Sequence, residues 1–175
     1  MTLAEALSAE RDGRIEDAAA AYEGVLLSTP DDLTTTINLI VLYWQATDFG
    51  ISATQRLSPA FVVIAGRRLR ELLEEPQACL SSQAEFLFWR KYIAWADLGE
   101  PLDPADCREF LRQNPQYLEP AFVVFSRSAG VEAEAEAMKL LERCSKCPTA
   151  RCRYIESVID GVLKRRRPRK TSSPS

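Results

Sequence analysis

The chain has 175 residues, of which 46% are hydrophobic, which is enough for one domain with its own core. It contains no histidine, so the side chain that most often serves as a general base and metal ligand is missing. Glycine-rich phosphate loops of the GxxxxGK[ST] and GxGxxG kinds are also absent. We therefore expect a protein that is not an enzyme and needs no cofactor.

Charge is distributed unevenly along the chain. The 22 basic and 25 acidic residues give a net charge of −3. Six basic residues lie close together near the C-terminus, which leaves 16 basic against 25 acidic residues elsewhere, a net charge of −9. We expect residues 1–163 to fold and residues 164–175 to form a basic, disordered tail. The basic residues of this tail are Lys164, Arg165, Arg166, Arg167, Arg169 and Lys170.

The N-terminal region predicts two helices joined by a short turn, Leu3–Arg11 and Arg14–Ser28. Gly13 breaks the chain between them, and Pro30 marks the end of the second. Apolar residues of the second helix fall on one face, at helical spacing. These residues are Ile15, Ala18, Ala19, Tyr22, Val25 and Leu26. The pattern is typical of a helical hairpin that buries one side.

The next segment predicts a third helix near Asp32–Ala46, which is apolar on nearly all sides and should therefore be buried on more than one. Thr47–Leu57 is expected to be a loop. Ser58 then precedes Pro59, an N-cap followed by proline at the first helical position, and this helix should run to about Glu75.

The outer side of this helix has two predicted ion pairs at i,i+4 spacing. They are Arg67 with Glu71 and Arg70 with Glu74.

The second half of the chain predicts five further helices, which brings the total to nine. Ser82 and Glu85 have capping-box spacing before an aromatic helix that ends near Leu98. The other four helices are expected at 103–113, 120–130, 131–144 and from 149 onward. In the helix at 131–144, the side expected to be buried consists of Val131, Ala135, Met138 and Leu141.

The first hairpin resembles the tetratricopeptide repeat (TPR) family. Gly13, Ala18, Tyr22 and Pro30 stand at the spacings of that family's second helix, and the match covers residues 2–46 and degenerates afterwards. The resemblance implies an all-α fold, a right-handed stack of about four antiparallel helix hairpins that forms a TPR-like solenoid. A C-terminal capping helix would cover the last hairpin.

The resemblance also implies a non-catalytic adaptor or chaperone-like module that binds a peptide or helix of another protein in a concave groove. Candidate groove residues are Asn38, Tyr43, Arg90 and Tyr92. The alternative for the two tyrosines is that they pack in the core. Some family members hold a C-terminal carboxylate with basic and Asn residues. Asn38 fits one such position, but Leu3 and Leu7 occupy others, so this clamp is not expected.

The basic tail supports an alternative function, an accessory protein associated with nucleic acid or with an anionic membrane surface. A nuclear import signal and a merely solvated helix end are the other interpretations of the same residues. The start of the sequence lacks the pattern of a signal peptide, and no apolar run is long enough to span a bilayer. We therefore expect a cytoplasmic protein with reduced cysteines.

Cys144, Cys147 and Cys152 have the only spacing in the sequence that is similar to a metal site. Zinc takes four ligands, so a Cys-x-x-Cys pair is half a site, and Cys152 could add a third ligand. The alternative is that Cys144 is a small buried hydrophobic residue and that the other two lie near a helix turn. We expect no bound metal, and we leave zinc as the lesser interpretation.

Overall fold

A computed structural model of the protein describes residues 1–147 and 149–166. These residues form ten α-helices and no β-strand, which confirms the all-α prediction. No helix among them is long and apolar enough to cross a membrane. The helices are α1 (Leu3–Arg11), α2 (Ile15–Ser28), α3 (Leu33–Thr47), α4 (Phe49–Thr54), α5 (Pro59–Glu74), α6 (Ala84–Leu98), α7 (Pro104–Gln113), α8 (Pro120–Arg127), α9 (Glu134–Ser145) and α10 (Ala150–Arg166).

Side-chain caps fix several of the predicted helix starts. The carboxylate of Asp32 accepts a hydrogen bond from the Thr35 backbone amide at 2.7 Å, and so starts α3. Ser58 Oγ accepts from the Phe61 amide at 3.2 Å at the start of α5. Because these caps satisfy backbone amides that have no partner within the helix, they determine where each helix begins.

Two predictions about helix starts were wrong. The expected loop at Thr47–Leu57 contains the short helix α4, because the Asp48 carboxylate accepts from the Ile51 amide at 3.0 Å and caps it. The expected capping box at Ser82 does not form, since α6 starts at Ala84 and its N-cap, Gln83, makes no side-chain bond to the amides of the first turn.

The buried side of α9 also differs from the prediction. Val131 is 75% exposed and precedes the helix, which starts only at Glu134. Ala129, Gly130 and Ala133 all have positive φ angles, so the backbone at these positions is not α-helical. The buried residues, Ala137, Leu140 and Cys144, form the neighbouring stripe at the same helical spacing.

The described residues divide into two compact units. Unit 1 consists of Met1–Leu102 together with Cys147–Arg153, and unit 2 consists of residues 103–146 together with 154–166. Helix α10 therefore belongs to unit 1 in its first turn and to unit 2 afterwards. Unit 1 is thus built from two stretches that are far apart in the sequence.

The core of unit 1 lies among its first three helices, α5 and α6. Ala6 and Ala18 are fully buried where α1 packs against α2. Small side chains at such positions let two helix backbones approach closely. An aromatic cluster adds to this core, and its centre, Tyr92 of α6, lies 6.0 Å from the Trp44 ring of α3 and 5.6 Å from the Trp89 ring between centroids.

In unit 2, α8 packs against α7 and α9. Phe122 of α8 is buried and makes an edge contact with Tyr154 of α10, with 6.2 Å between ring centroids. Gly130 adopts a φ of +87° between α8 and α9, and a Cβ there would lie 2.6 Å from Arg166 Cδ. This turn therefore favours glycine because of its backbone angle, whereas the exposed Arg166 side chain could move away from an added Cβ.

Candidate functional site

One surface of unit 1, formed by α1 and α3, is covered by residues 147–153 of the same chain. Gln45 of α3 donates from Nε2 to the Ala150 carbonyl oxygen at 2.9 Å. Glu10 of α1 accepts a hydrogen bond from the Ala150 backbone amide. Ala150 is itself buried in the core of unit 1. The first helix of each N-terminal hairpin, which would line a TPR-like groove, thus contacts the protein's own chain. We call this face the α1–α3 surface.

Glu10 is the central polar residue of the α1–α3 surface. It is 1% exposed, accepts from the Tyr22 hydroxyl at 2.6 Å, and has Arg153 Nη2 at 3.7 Å. Because Ala150 is the first residue of α10, the Glu10 carboxylate also lies at the positive end of a helix dipole. Burial raises the pKa of Glu10 above its usual range, although the hydrogen bonds from Tyr22 and Ala150 and the nearby arginines act in the opposite direction.

The cysteines predicted as a possible metal site differ in exposure. Cys144 and Cys152 are buried, whereas Cys147 is exposed, and the nearby Cys152 thiol helps to raise the pKa of Cys147. Among residues 1–147 and 149–166, no group of three or more Cys, Asp or Glu side chains is arranged to hold a metal ion. The described residues therefore offer a pair of thiols rather than a set of metal ligands.

Of the four predicted groove residues, three are buried and only Arg90 is exposed. Asn38, Tyr43 and Tyr92 are 2%, 3% and 4% exposed. The Tyr43 hydroxyl donates to Glu23 Oε1 at 3.0 Å, and Tyr92 lies in the aromatic cluster. Both tyrosines therefore pack in the core, which was the alternative to a role in a groove.

Asn38 occupies an unusual position for a buried amide. Its Oδ1 atom has no hydrogen-bond partner within the described part of the chain, and the same is true of Thr35 Oγ1 one turn earlier. Thr35, Asn38 and Gln45 lie on the same side of α3, because they are spaced by three and seven residues. On this side of α3, Gln45 therefore has a hydrogen-bond partner in Ala150. Thr35 Oγ1 and Asn38 Oδ1 have none among the described residues.

A second surface of unit 1 is open. A groove with a volume of about 740 Å³ lies between α5 and α6, and we call it the α5–α6 groove. Its apolar lining consists of Gly66, Leu69, Leu73, Ile93, Ala94 and Leu98. Leu69 and Ile93 form a buried floor, whereas Leu98 is 74% exposed at the edge. Such a volume is in the range of sites that take a ligand or a few side chains of a partner.

Charged residues of both signs surround the α5–α6 groove. Glu74, Asp97 and Glu100 are acidic, and Asp97 accepts a hydrogen bond from Trp44 Nε1 at 2.9 Å. Arg70 and Arg90 are exposed, and neither pairs with a carboxylate of the described residues. Arg90 lies over the Phe86 ring, with 5.9 Å from its Cζ to the ring centroid. The groove therefore has two arginines that form no direct ion pair with the described residues, alongside three carboxylates.

The sequence indicated only part of this groove. Arg90 was a candidate from the start, but Arg70 was expected to pair with Glu74, and that ion pair does not form. The neighbouring predicted pair, Arg67 with Glu71, does form at 3.7 Å. Gly66 lies in the middle of α5, and the side of its Cα that lacks a side chain is directed toward Thr47. A glycine in the middle of a predicted helix was the sequence feature that could have indicated the α5–α6 groove.

The basic tail is only partly described. Lys164, Arg165 and Arg166 belong to the last turn of α10 and are exposed, and Arg166 Nη1 pairs with Glu134 Oε1 at 2.9 Å. The remaining predicted tail residues, Arg167, Arg169 and Lys170, lie outside the described residues.

No protein-family model matches the chain, and searches of curated proteins and of solved structures give no match. The resemblance to the TPR family therefore stays a prediction from the sequence. Function has to be inferred from the residues of the two surfaces of unit 1.

Proposed function

We propose that this chain is a non-catalytic interaction module, built as a TPR-like stack, that binds a peptide or helix of a partner protein in the α5–α6 groove. The observation that carries this proposal is the open apolar groove with unpaired arginines beside it. The packing of α1 on α2 and of α2 on α3 is the arrangement expected of consecutive helical hairpins.

The apolar part of the groove supplies the affinity. Leu69, Leu73 and Ile93 give it a continuous aliphatic lining, and the exposed Leu98 side chain is available to a ligand at its edge. Covering such side chains removes apolar surface from water, which stabilises the complex in proportion to the area buried. A partner segment with two or three apolar side chains on one side suits this surface.

The charges beside the groove supply the selectivity. Because Arg70 and Arg90 lack carboxylate partners among the described residues, an acidic side chain of the ligand can pair with one of them without displacing an existing ion pair. Guanidinium groups bind carboxylates through two parallel hydrogen bonds, which also fixes the orientation of the ligand. The preferred ligand is therefore an amphipathic segment with at least one Asp or Glu near its apolar residues.

A peptide-display selection against the whole chain tests this function. We expect enriched peptides that combine apolar residues with an acidic residue, and we expect Arg70→Glu/Arg90→Glu to weaken their binding by roughly tenfold or more, measured by fluorescence anisotropy. The matched control is Arg11→Glu/Lys139→Glu, which makes the same charge change at exposed positions that do not line the groove.

Two results would count against the proposal. One is a selection that enriches no binding peptide. The other is a set of peptides whose affinity falls equally in the groove variant and in the control variant, since this would indicate attraction to overall charge rather than to the groove.

A further inference from the structure

Two thiols lie together where the chain enters α10. Cys147 is exposed, and Cys152, the third residue of α10, is 8% exposed. Both residues are hydrogen-bonded to Thr149, which lies between them in the sequence. We infer that Cys147 and Cys152 are an oxidative modification site, which forms a reversible intrachain disulfide and thereby fixes the start of α10 on the α1–α3 surface.

The backbone already holds the two cysteines close to each other. The Thr149 amide donates to the Cys147 carbonyl oxygen at 2.7 Å, and the Cys152 amide donates to Thr149 Oγ1 at 3.1 Å. Ala150, between them, is held by Glu10 and Gln45. A disulfide requires two cysteines whose side chains approach each other. The shared bonds to Thr149 and the effect of the Cys152 thiol on the pKa of Cys147 both indicate such an approach.

The other cysteines are less suited to the reaction. Cys107 and Cys144 are 0% and 3% exposed, so their thiols are shielded from an oxidant in water. Cys79 is exposed and is not bonded to another cysteine. Oxidation by a small molecule should therefore begin at Cys147 or Cys79, and among the described residues only Cys147 of these two has a neighbouring thiol that can complete a disulfide.

The oxidant we propose is a low-molecular-weight disulfide such as glutathione disulfide. The Cys147 thiolate attacks one of its sulfur atoms, which forms a mixed disulfide and releases one glutathione thiolate. The Cys152 thiolate then attacks the Cys147 sulfur and releases the second glutathione. Two protein thiols are thus oxidised by two electrons, one disulfide is reduced to two thiols, and a dithiol reductant reverses the change.

The surroundings of Cys147 determine when this happens. Partial enclosure by its neighbours and the nearby Cys152 thiol raise the pKa of Cys147, while Arg151 acts in the opposite direction. Since the thiolate is the attacking form, the reaction should speed up as the pH rises. At neutral pH the attack by Cys147 should therefore be slower than the attack by a cysteine whose pKa is not raised.

Mass spectrometry of the whole chain treated with glutathione disulfide tests the bond. Trypsin cleaves after Lys146, Arg151 and Arg153, so a disulfide within the pair joins peptide 147–151 to peptide 152–153. We expect this joined product from the wild type and from Cys79→Ser after free thiols are blocked. Cys152→Ser should stop at a mixed disulfide of Cys147 with glutathione. The proposal is overturned if the wild type also stops there, or if Cys147 joins a different cysteine.

Hydrogen exchange tests the second half of the inference. A bond between Cys147 and Cys152 closes a ring across the entry to α10, so the segment should open less often. We expect the Ala150 and Cys152 amides to exchange roughly tenfold more slowly in the oxidised protein than in the reduced one. The Phe61 amide, capped by Ser58 in a distant helix, is the internal control. Equal exchange in both states would contradict the fixing role, whereas faster exchange would show that the disulfide releases the segment.

Discussion

The α1–α3 surface and the α5–α6 groove belong to the same unit, but they differ in what covers them. The first is covered by residues 147–153, whose Ala150 bonds to both Glu10 and Gln45. The second is open, with an apolar floor and two arginines that lack acidic partners among the described residues. A helical hairpin surface therefore cannot be assumed to bind a partner merely because its fold class does so, since the chain itself can occupy it.

The largest effect should come from removing the carboxylate that holds the covering segment. Glu10→Ala leaves the Tyr22 hydroxyl and the Ala150 amide without their acceptor and opens space in the core. We expect the free energy of unfolding to fall by about 3 kcal/mol, measured by urea denaturation. Glu74→Ala, an exposed residue beside the open groove, should change it by less than about 0.5 kcal/mol.

If Glu10→Ala were as stable as the control, the segment would not be held by this carboxylate. The difference between the two surfaces would then have to come from apolar packing of Ala150 alone.

An intermediate effect is expected from two neighbouring threonines of α3. Thr36 Oγ1 donates to the Asp32 carbonyl oxygen at 2.8 Å, whereas Thr35 Oγ1 has no partner within the described residues, and both side chains are buried. Thr36→Val should lower the free energy of unfolding by about 1 kcal/mol. Thr35→Val should raise it by a similar amount, about 1 kcal/mol, because it removes an unsatisfied hydroxyl without changing the shape.

These two variants are matched controls for each other, because residue type, helix and burial are the same. A loss of stability in Thr35→Val would show that the Thr35 hydroxyl has a hydrogen-bond partner, such as a buried water. The Thr35 hydroxyl would then no longer count as an unsatisfied group of α3.

A smaller effect is expected at the open groove. In Gly66→Ala the new Cβ would meet only Thr47 Cγ2, at 3.7 Å, so the helix gains a better helix former without a clash. We expect the free energy of unfolding to rise by about 0.5–1 kcal/mol. Gly130→Ala, which has a positive φ and a close contact with Arg166, should instead lower it. A loss of stability in Gly66→Ala would show that the groove is tighter than it appears.

The smallest effect concerns pH. Burial raises the pKa of Glu10, so its folded-state pKa lies above its unfolded-state pKa, and its contribution to stability is largest at low pH and is lost as pH rises through the folded value. As pH falls from neutrality to about 4, the wild type should therefore gain stability relative to Glu10→Gln. Parallel pH profiles for the two proteins would contradict this expectation.

Local patterns predicted much of the helical structure and little of the site. The Asp32 and Ser58 caps could be recognised because each depends on residues within four positions. The stripe of α9 was misassigned because Val131 continues its periodicity before the helix begins, and periodicity alone does not show that residues 129–133 leave the helical region.

The covered surface could not be predicted for a different reason. Glu10 appears in the sequence as one of many charged residues on an amphipathic helix, and its acceptor role depends on Ala150, which lies 140 residues away. Periodicity contains no information on such distant pairs. Arg90 was predicted as a groove residue because it lies on the first helix of a hairpin in the TPR-like arrangement, whereas Arg70 was assigned to an ion pair that does not form.

The discontinuity of unit 1 also has a consequence for synthesis on the ribosome. Residues 1–102 leave the ribosome before residues 147–153 do. During this time the α1–α3 surface has no covering segment. During this interval the Glu10 carboxylate has Tyr22 but not the amide of Ala150. Contacts between distant parts of a chain form late because closing the loop costs entropy. Completion of unit 1 therefore has to wait until residues 147–153 have left the ribosome, and a chain truncated before residue 147 would present the α1–α3 surface to other proteins.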